Sequence, residues 1–329
     1  MVPKWVWPLL AIVVFLLIPV VSSVRYINLL TEFMIYGLFS MSLNIIMGYT
    51  GMVSFAQAAF FGIGAYASGM ILLKFSLPLP LALVCGAVAS SVIAVPIGFF
   101  CTRATQIYFA MLSMAFSQMI YAIVFKWYSF TGGSDGIAGI PRSTLWFGMG
   151  NLNSRVAYYY FVFTVIMLSL FVFAQIIKSP FGKTLYAIKE NEKKVESLGI
   201  NTRVFKLASF VIGGFFAGIA GSLFASFNGF ASPELLFLDN SANCVLMLIL
   251  GGVGTLMGPF IGAMMFILLY EQLSLYTQNY LIFVGLVFVL AMLFFPDGVV
   301  GTLDRLRKQR WQSVVFRGEN PLKKVKRGF

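Results

Sequence analysis

No feature constrains this 329-residue chain more than its apolar runs, which recur from end to end and are mostly long enough to cross a bilayer. They read as 6–24, 29–47, 52–73, 79–101, 104–126, 156–177, 207–228, 241–255, 257–273 and 279–297. In hydrocarbon every backbone N–H and C=O needs an internal partner, which only helices and closed barrels supply. Barrel strands alternate apolar and polar residues, and these runs do not. The chain therefore reads as all-α, a polytopic membrane protein of about ten transmembrane helices, some of them interrupted by glycine.

Charge sets the expected orientation. The formal net charge is +12, and most of the Lys and Arg fall in two blocks beside apolar runs. Residues 178–206 hold Lys178, Lys183, Lys189, Lys193, Lys194, Arg203 and Lys206, and the tail beyond 298 holds nine more basic residues. Cytoplasmic loops collect Lys and Arg, so both blocks belong inside and an even number of spans must separate them. The four runs from 207 to 297 satisfy that parity. Reading 241–273 as one span plus a re-entrant half leaves three and puts the basic tail outside.

The expected topology has both termini cytoplasmic and the loop 127–155 outside. Residues 1–303 form the membrane domain and 304–329 a basic cytoplasmic tail. This placement of charge speaks for lipid and against nucleic acid as a partner. Lys4, an apolar run and Ser22-Ser23 also match a signal peptide. Against cleavage, the run from Val6 to Val21 is long for one, and Trp5 and Trp7 suit an interfacial belt.

Several chemistries are excluded or left without support. With no histidine, the commonest proton-transfer group is missing, and Cys85, Cys101 and Cys244 form neither a C-x-x-C motif nor an even set. The loop segment "TGGSDGIAGIP" has no G-x-G-x-x-G and follows a helix, not a strand. Gly182-Lys183-Thr184 looks like the end of a phosphate loop, but Ile177 stands where the first glycine is required and Pro180 where the cradle would lie. Glu32 and Glu271 are placed near run ends, where they stay hydrated. Ion-coupled carriers keep ionisable or unwound groups at the midplane, so a stand-alone secondary carrier has little support. A membrane enzyme has less.

Two junctions stand out for glycine. "MGYTGMVSFAQAAFFGIGAY" joins the second and third runs, and "LGGVGTLMGPFIGA" joins the eighth and ninth. Glycine-interrupted segments in both halves point to a transport path, here Gly48, Gly51, Ser54, Gln57, Gly251, Gly254 and Thr255. Close helix packing through small residues explains glycine equally well. It is the expected role of Gly214, Gly218, Gly221 and Ala225, which share one helix face. A short helix starting at Ser232-Pro233-Glu234 is expected in an outer loop.

One stretch, "SPFGKTLYAIKENEKKVESLGI" (179–200), is polar and yet helical in pattern. Ser179 caps it and Pro180 takes the first helical position. Phe181, Leu185 and Ile188 form an apolar stripe. Asn191 caps a second short helix that runs to Leu198 and stops at Gly199-Ile200. Such a stripe suits either a lipid surface or a docking partner.

The stretch resembles the cytoplasmic loop of branched-chain amino-acid ABC transporter permeases of the second-subunit type. So do "NIIMGYTGMVSFAQAAFFGIGAYASG", "IYFAMLSMAFSQMIY", "TGGSDGIAGIP", "NGFASPELL" and "LILGGVGTLMGPFIGA", in the family's order from about residue 40 to 297. The resemblance implies the ABC importer permease fold shared with ribose-type sugar permeases, in the cell membrane of a prokaryote. It implies a second homologous permease, two cytoplasmic ATPases that bind ATP-Mg, and an extracytoplasmic binding protein. This chain then needs no cofactor and hydrolyses nothing itself. Residues 179–200 become the coupling helix, with Phe181, Gly182, Lys183, Leu185, Ile188, Asn191, Leu198 and Gly199 at the ATPase and Phe181, Leu185 and Ile188 as its anchors. Similar permeases carry urea, short amides or other amino acids, so the cargo stays open.

Overall fold

The computed structural model describes residues 23–142, 144–146, 149–152, 154–276, 280–294 and 298–302, together with Pro19. Nearly all of the first expected span (6–24) and the tail 304–329 lie outside the described residues. Each of the other nine apolar runs is a helix. These are α1 (Val24–Thr50), α2 (Gln57–Phe75), α3 (Leu79–Cys101), α4 (Gln106–Lys126), α6 (Arg155–Lys178), α8 (Thr202–Asn228), α9 (Leu238–Gly251), α10 (Gly258–Tyr276) and α11 (Tyr280–Phe294). A four-residue α5 (Tyr128–Thr131) follows α4, and the polar α7 (Pro180–Ser197) links α6 to α8. Among the described residues, six helices are long and apolar enough to cross a membrane: α1, α2, α3, α4, α6 and α8. Of the expected ten, the first lies outside the described residues, and α9, α10 and α11 fall short: α9 and α11 have 14 and 15 residues, and the apolar part of α10 is Gly258–Leu273.

Helix α8 is the hub, packed against α1, α2 and α3. Small residues make the approach possible. A Cβ on Gly221 would lie 1.8 Å from the Phe61 carbonyl oxygen, and one on Gly64 would lie 2.3 Å from that of Gly218. Serines then join the touching backbones. Ser222 Oγ donates to the Gly64 carbonyl at 3.0 Å, and Ser90 Oγ to that of Phe60 at 2.8 Å. Such interhelical bonds contribute about 0.6 kcal/mol each in a membrane protein. The packing role expected for Gly218 and Gly221 is what the structure gives them.

Helices α9 and α10 form an equally tight antiparallel pair. A Cβ on Gly251 would meet the Gly258 carbonyl oxygen at 1.8 Å, and one on Gly262 would meet that of Met247 at the same distance.

Two ends of the bundle can be told apart. At one, α7 packs on α1, α6 and α8. At the far end of α8, about 40 Å away at 1.5 Å per residue, β1 (Ile137–Ala138) pairs antiparallel with β4 (Phe230–Ala231). A hairpin of β2 (Thr144–Trp146) and β3 (Met149–Asn151) lies between β1 and α6. Gly136 has φ +68, and a Cβ there would sit 2.3 Å from the Ala231 carbonyl oxygen, so this glycine of "TGGSDGIAGIP" serves the pairing. The expected helix at Pro233 is a 3-10 turn, Pro233–Leu236, and the Ser232 side chain does not cap it.

Candidate functional site

Helix α7 has the caps its sequence promised. Ser179 Oγ accepts from the Gly182 N–H at 3.4 Å and Pro180 takes the first position. Asn191 (φ −160, ψ 95) breaks the helix and its Oδ1 caps the Lys194 N–H at 3.0 Å. Gly199 closes the second piece with φ +83. The glycine of Gly182-Lys183-Thr184 also has a packing cause, since a Cβ there would sit 2.2 Å from the Ile177 carbonyl oxygen as the chain turns out of α6.

The apolar stripe faces the other way from what was expected. Leu185 and Ile188 are 1% and 3% exposed, buried against this chain's own bundle. Phe181 stacks on Phe205 of α8, ring centroids 5.7 Å apart. These three residues seat α7 on the membrane domain, with Leu185 and Ile188 fully covered and Phe181 partly exposed. The reason is the connection itself. A helix tied at both ends to α6 and α8 has apolar surface of its own bundle within reach, and covering that surface is the strongest driving force available. The outward face carries Lys183, Tyr186, Ala187, Glu190, Lys193 and Leu198. Polar contacts add to the seat. Lys206, buried on α8, pairs with Glu192, and the single Thr202 hydroxyl proton is shared between Glu196 at 2.8 Å and Glu192 at 3.1 Å.

Both glycine junctions meet at this seat. Lys189 Nζ of α7 donates to the Gly48 carbonyl near the end of α1 at 2.9 Å. Gly51 (φ +77) caps α1, and a Cβ on it would lie 3.3 Å from Lys189 Cγ. One turn back in α1, fully buried Asn44 clasps the α9–α10 turn: its Oδ1 accepts from the Gly254 N–H, and its Nδ2 donates to the Thr255 carbonyl, both at 2.8 Å. Gly254 (φ +81) packs on the Gly48 backbone, and Thr255 Oγ1 accepts from the Gly258 N–H at 3.1 Å to start α10. The structure thus brings Gly48, Gly51, Gly254 and Thr255 into one cluster, while Gly251 packs inside the α9–α10 pair.

The α1–α2 break, 51–56, is held by serines from three places. Phe55 N–H donates to Ser113 Oγ of α4 at 3.1 Å. Ser241 of α9 donates to the Phe55 carbonyl at 2.7 Å and accepts from the Ala58 N–H at 3.0 Å. Ser54 accepts from the Ala56 N–H at 3.2 Å, and Gln57 Oε1 accepts from Ser42 at 3.1 Å. Non-helical backbone at such depth persists only where side chains satisfy it in this way. Ser54 and Gln57 are 0% exposed, so in this conformation they support the break and do not line an open passage.

Asn44 and Lys189 escaped the sequence reading. The one available signal for Asn44 was an amide in the middle of an apolar run.

Comparison with known proteins decides the family. The model of the branched-chain amino acid transport system / permease component family matches residues 25–295. The chain belongs to that family. The permease is 28% identical over 307 residues to the high-affinity branched-chain amino acid transport system permease protein LivM of Escherichia coli K12, covering 86% of this chain and 71% of the relative. It is also similar to LivH of the same organism, 27% identical over 286 residues and covering 81% and 91%. A more distant relative is the autoinducer 2 import system permease protein LsrC of Yersinia enterocolitica, 31% identical over 174 residues and covering 49% of this chain and 48% of the relative. No solved structure matches the chain.

Proposed function

We propose that this permease is one of two transmembrane subunits of an ATP-driven importer of branched-chain amino acids. The observation that carries this reading is similarity along most of the chain to both LivM and LivH, two permease proteins of one named transport system. A second homologous permease would complete the membrane path. Two cytoplasmic ATPases would bind ATP-Mg, and an extracytoplasmic binding protein would deliver cargo.

The proposed topology has ten spans, with α9, α10 and α11 among them and both termini cytoplasmic. It puts the α7 end inside and the β1–β4 end outside. Coupling then runs through α7, with Lys183, Tyr186, Lys193 and Leu198 toward the ATPase and Phe181, Leu185 and Ile188 holding the helix from behind. The cluster of Gly48, Gly51, Gly254 and Thr255, clasped by Asn44, is where movement of α7 reaches the membrane helices.

The test is reconstitution of the five-component system in liposomes, with uptake of leucine, isoleucine and valine measured beside urea and acetamide. ATP-dependent uptake of the aliphatic amino acids is expected. Uptake of urea or acetamide alone assigns the other cargo. Uptake driven by an ion gradient without ATP overturns the importer.

A further inference from the structure

Away from α7, at the opposite end of α1, a cleft of about 540 Å³ opens between α1, α9 and α10. Small-molecule sites occupy about 300–1,000 Å³. Arg25 and Glu271 close one side of it with an ion pair of 2.7 Å. Deeper, Glu32 lies two turns into α1, about 12 Å from its first residue at 1.5 Å per residue. It is two turns from the helix end, where the sequence had suggested a place near the end, and it is partly exposed to the cleft. The side chains of Glu32 and its neighbours Asn28 and Asn243 make no hydrogen bond or ion pair among the described residues.

Among the described residues the charged members of the lining are Arg25, Glu32 and Glu271; Arg25 pairs with Glu271, and the Glu32 carboxylate faces the cleft with no cation of this set beside it. A carboxylate without a partner inside a membrane helix is costly unless it faces a water-filled path or a cation. Helices α9 and α10 add the apolar Met247, Phe266 and Ile267 to the lining, beside the polar Asn240, Asn243 and Tyr270. The geometry points to a binding site for a zwitterionic amino acid with an aliphatic side chain. Its ammonium would pair with Glu32, its carboxylate would accept from the Asn28 and Asn243 amides, and its side chain would lie against Met247, Phe266 and Ile267. This inference rests on the amino-acid cargo proposed above. It adds the place on this subunit that receives the amino acid after delivery.

Two measurements test it on the complete transporter in liposomes. Glu32→Gln keeps shape and removes charge. Leucine uptake is expected to fall about tenfold or more, the usual effect of losing a charge-assisted contact. Co-purification with the second permease and ATP hydrolysis stimulated by the binding protein should persist, so that less leucine moves per ATP. Unchanged uptake overturns the site. Loss of co-purification also overturns it, because Glu32 would then be joining the subunits.

The second measurement does not depend on cargo. In a cysteine-free background, Asn243→Cys should react about tenfold faster with a cationic than with an anionic methanethiosulfonate reagent, because the Glu32 carboxylate concentrates cations. Equal rates, or no reaction, overturn the site. A wild-type transporter that moves none of leucine, isoleucine or valine instead overturns the cargo reading, and does so before any variant is made.

Discussion

Replacing Leu185 by alanine separates the seat of α7 from its outward face. The Leu185 side chain is 1% exposed inside the packed core, so its truncation removes buried contacts and leaves a cavity. Such changes cost about 2–5 kcal/mol. Part of that is recovered if Phe181 and Ile188 settle inward, so about 2–4 kcal/mol is a fair range here. The cost falls on the local equilibrium between seated and lifted α7, because the helices that it packs against keep their other contacts. At 1.4 kcal/mol per factor of ten, opening rises about 30- to 700-fold. Hydrogen exchange of the purified permease reads this directly, as faster exchange of amides in 182–190 with α2 and α3 unchanged. Tyr186→Ala is the control. Tyr186 is 54% exposed on the outward face, and its loss should leave exchange within about twofold of wild type. ATPase binding should fall in Tyr186→Ala if that face docks. The reasoning is refuted if Leu185→Ala exchanges like wild type, or if Tyr186→Ala loosens α7 as much as Leu185→Ala does.

Three further outcomes follow from the packing and the proposed orientation. Gly221→Ala places a Cβ where only 1.8 Å separates it from the Phe61 carbonyl oxygen, so α2 and α8 must part. A loss of about 1–3 kcal/mol or more is expected, read as a lower midpoint in a thermal unfolding scan, whereas Gly139→Ala, with no atom within 4 Å of its Cβ, should cost only the strain of its φ of +80. Asn44→Leu fills the same space but strands the Gly254 N–H and the Thr255 carbonyl, at about 1–3 kcal/mol per orphaned group, so proteolysis at the 252–257 turn should accelerate. Single cysteines at Ser134 and Lys193 should label from opposite sides of the membrane with an impermeant thiol reagent, and labelling of both from outside in intact cells would overturn the ten-span topology.

The helices were legible because a long apolar run that does not alternate has one solution in a membrane, and nine such runs became helices close to their expected ends. The caps of α7 were legible for a similar reason, since Ser179-Pro180, Asn191 and Gly199 act on their own neighbours. What lay out of reach was which surface covers which. An apolar stripe says that Phe181, Leu185 and Ile188 will be buried, but the pattern is the same for lipid, another chain or the same chain. Asn44 and Lys189 find partners 210 and 141 residues away, and no local pattern marks such pairs. The path glycines were ambiguous for a related reason. Close approach and an open passage both select the smallest residue, and at Gly251 it is the Gly258 backbone that leaves no room for a side chain.

The contacts of Lys189 bear on how coupling could work at all. A push on α7 moves the membrane helices only if α7 is held more firmly than the helices are held in place. Three kinds of contact hold it: the buried stripe, the Glu192 and Glu196 pairing with Thr202 and Lys206, and the Lys189 bond to the Gly48 carbonyl. The first two tie α7 to the bundle and to the start of α8. The third reaches the end of α1, where the helix stops at Gly51 with φ +77 and the backbone at Phe55 is held by the Ser113 and Ser241 side chains. Asn44 passes the same displacement to the α9–α10 turn, because one amide holds both the Gly254 N–H and the Thr255 carbonyl. The helices therefore meet at two glycine turns, which lack helical hydrogen bonds and are joined by one lysine and one asparagine. Movement entering at α7 concentrates at those turns, since bending there costs no helical hydrogen bond. The α1, α9 and α10 helices that would tilt as a result are the ones whose far ends form the cleft with Glu32, so under the proposed function one lever would connect ATP-driven motion at one end of α1 with release of an amino acid at the other.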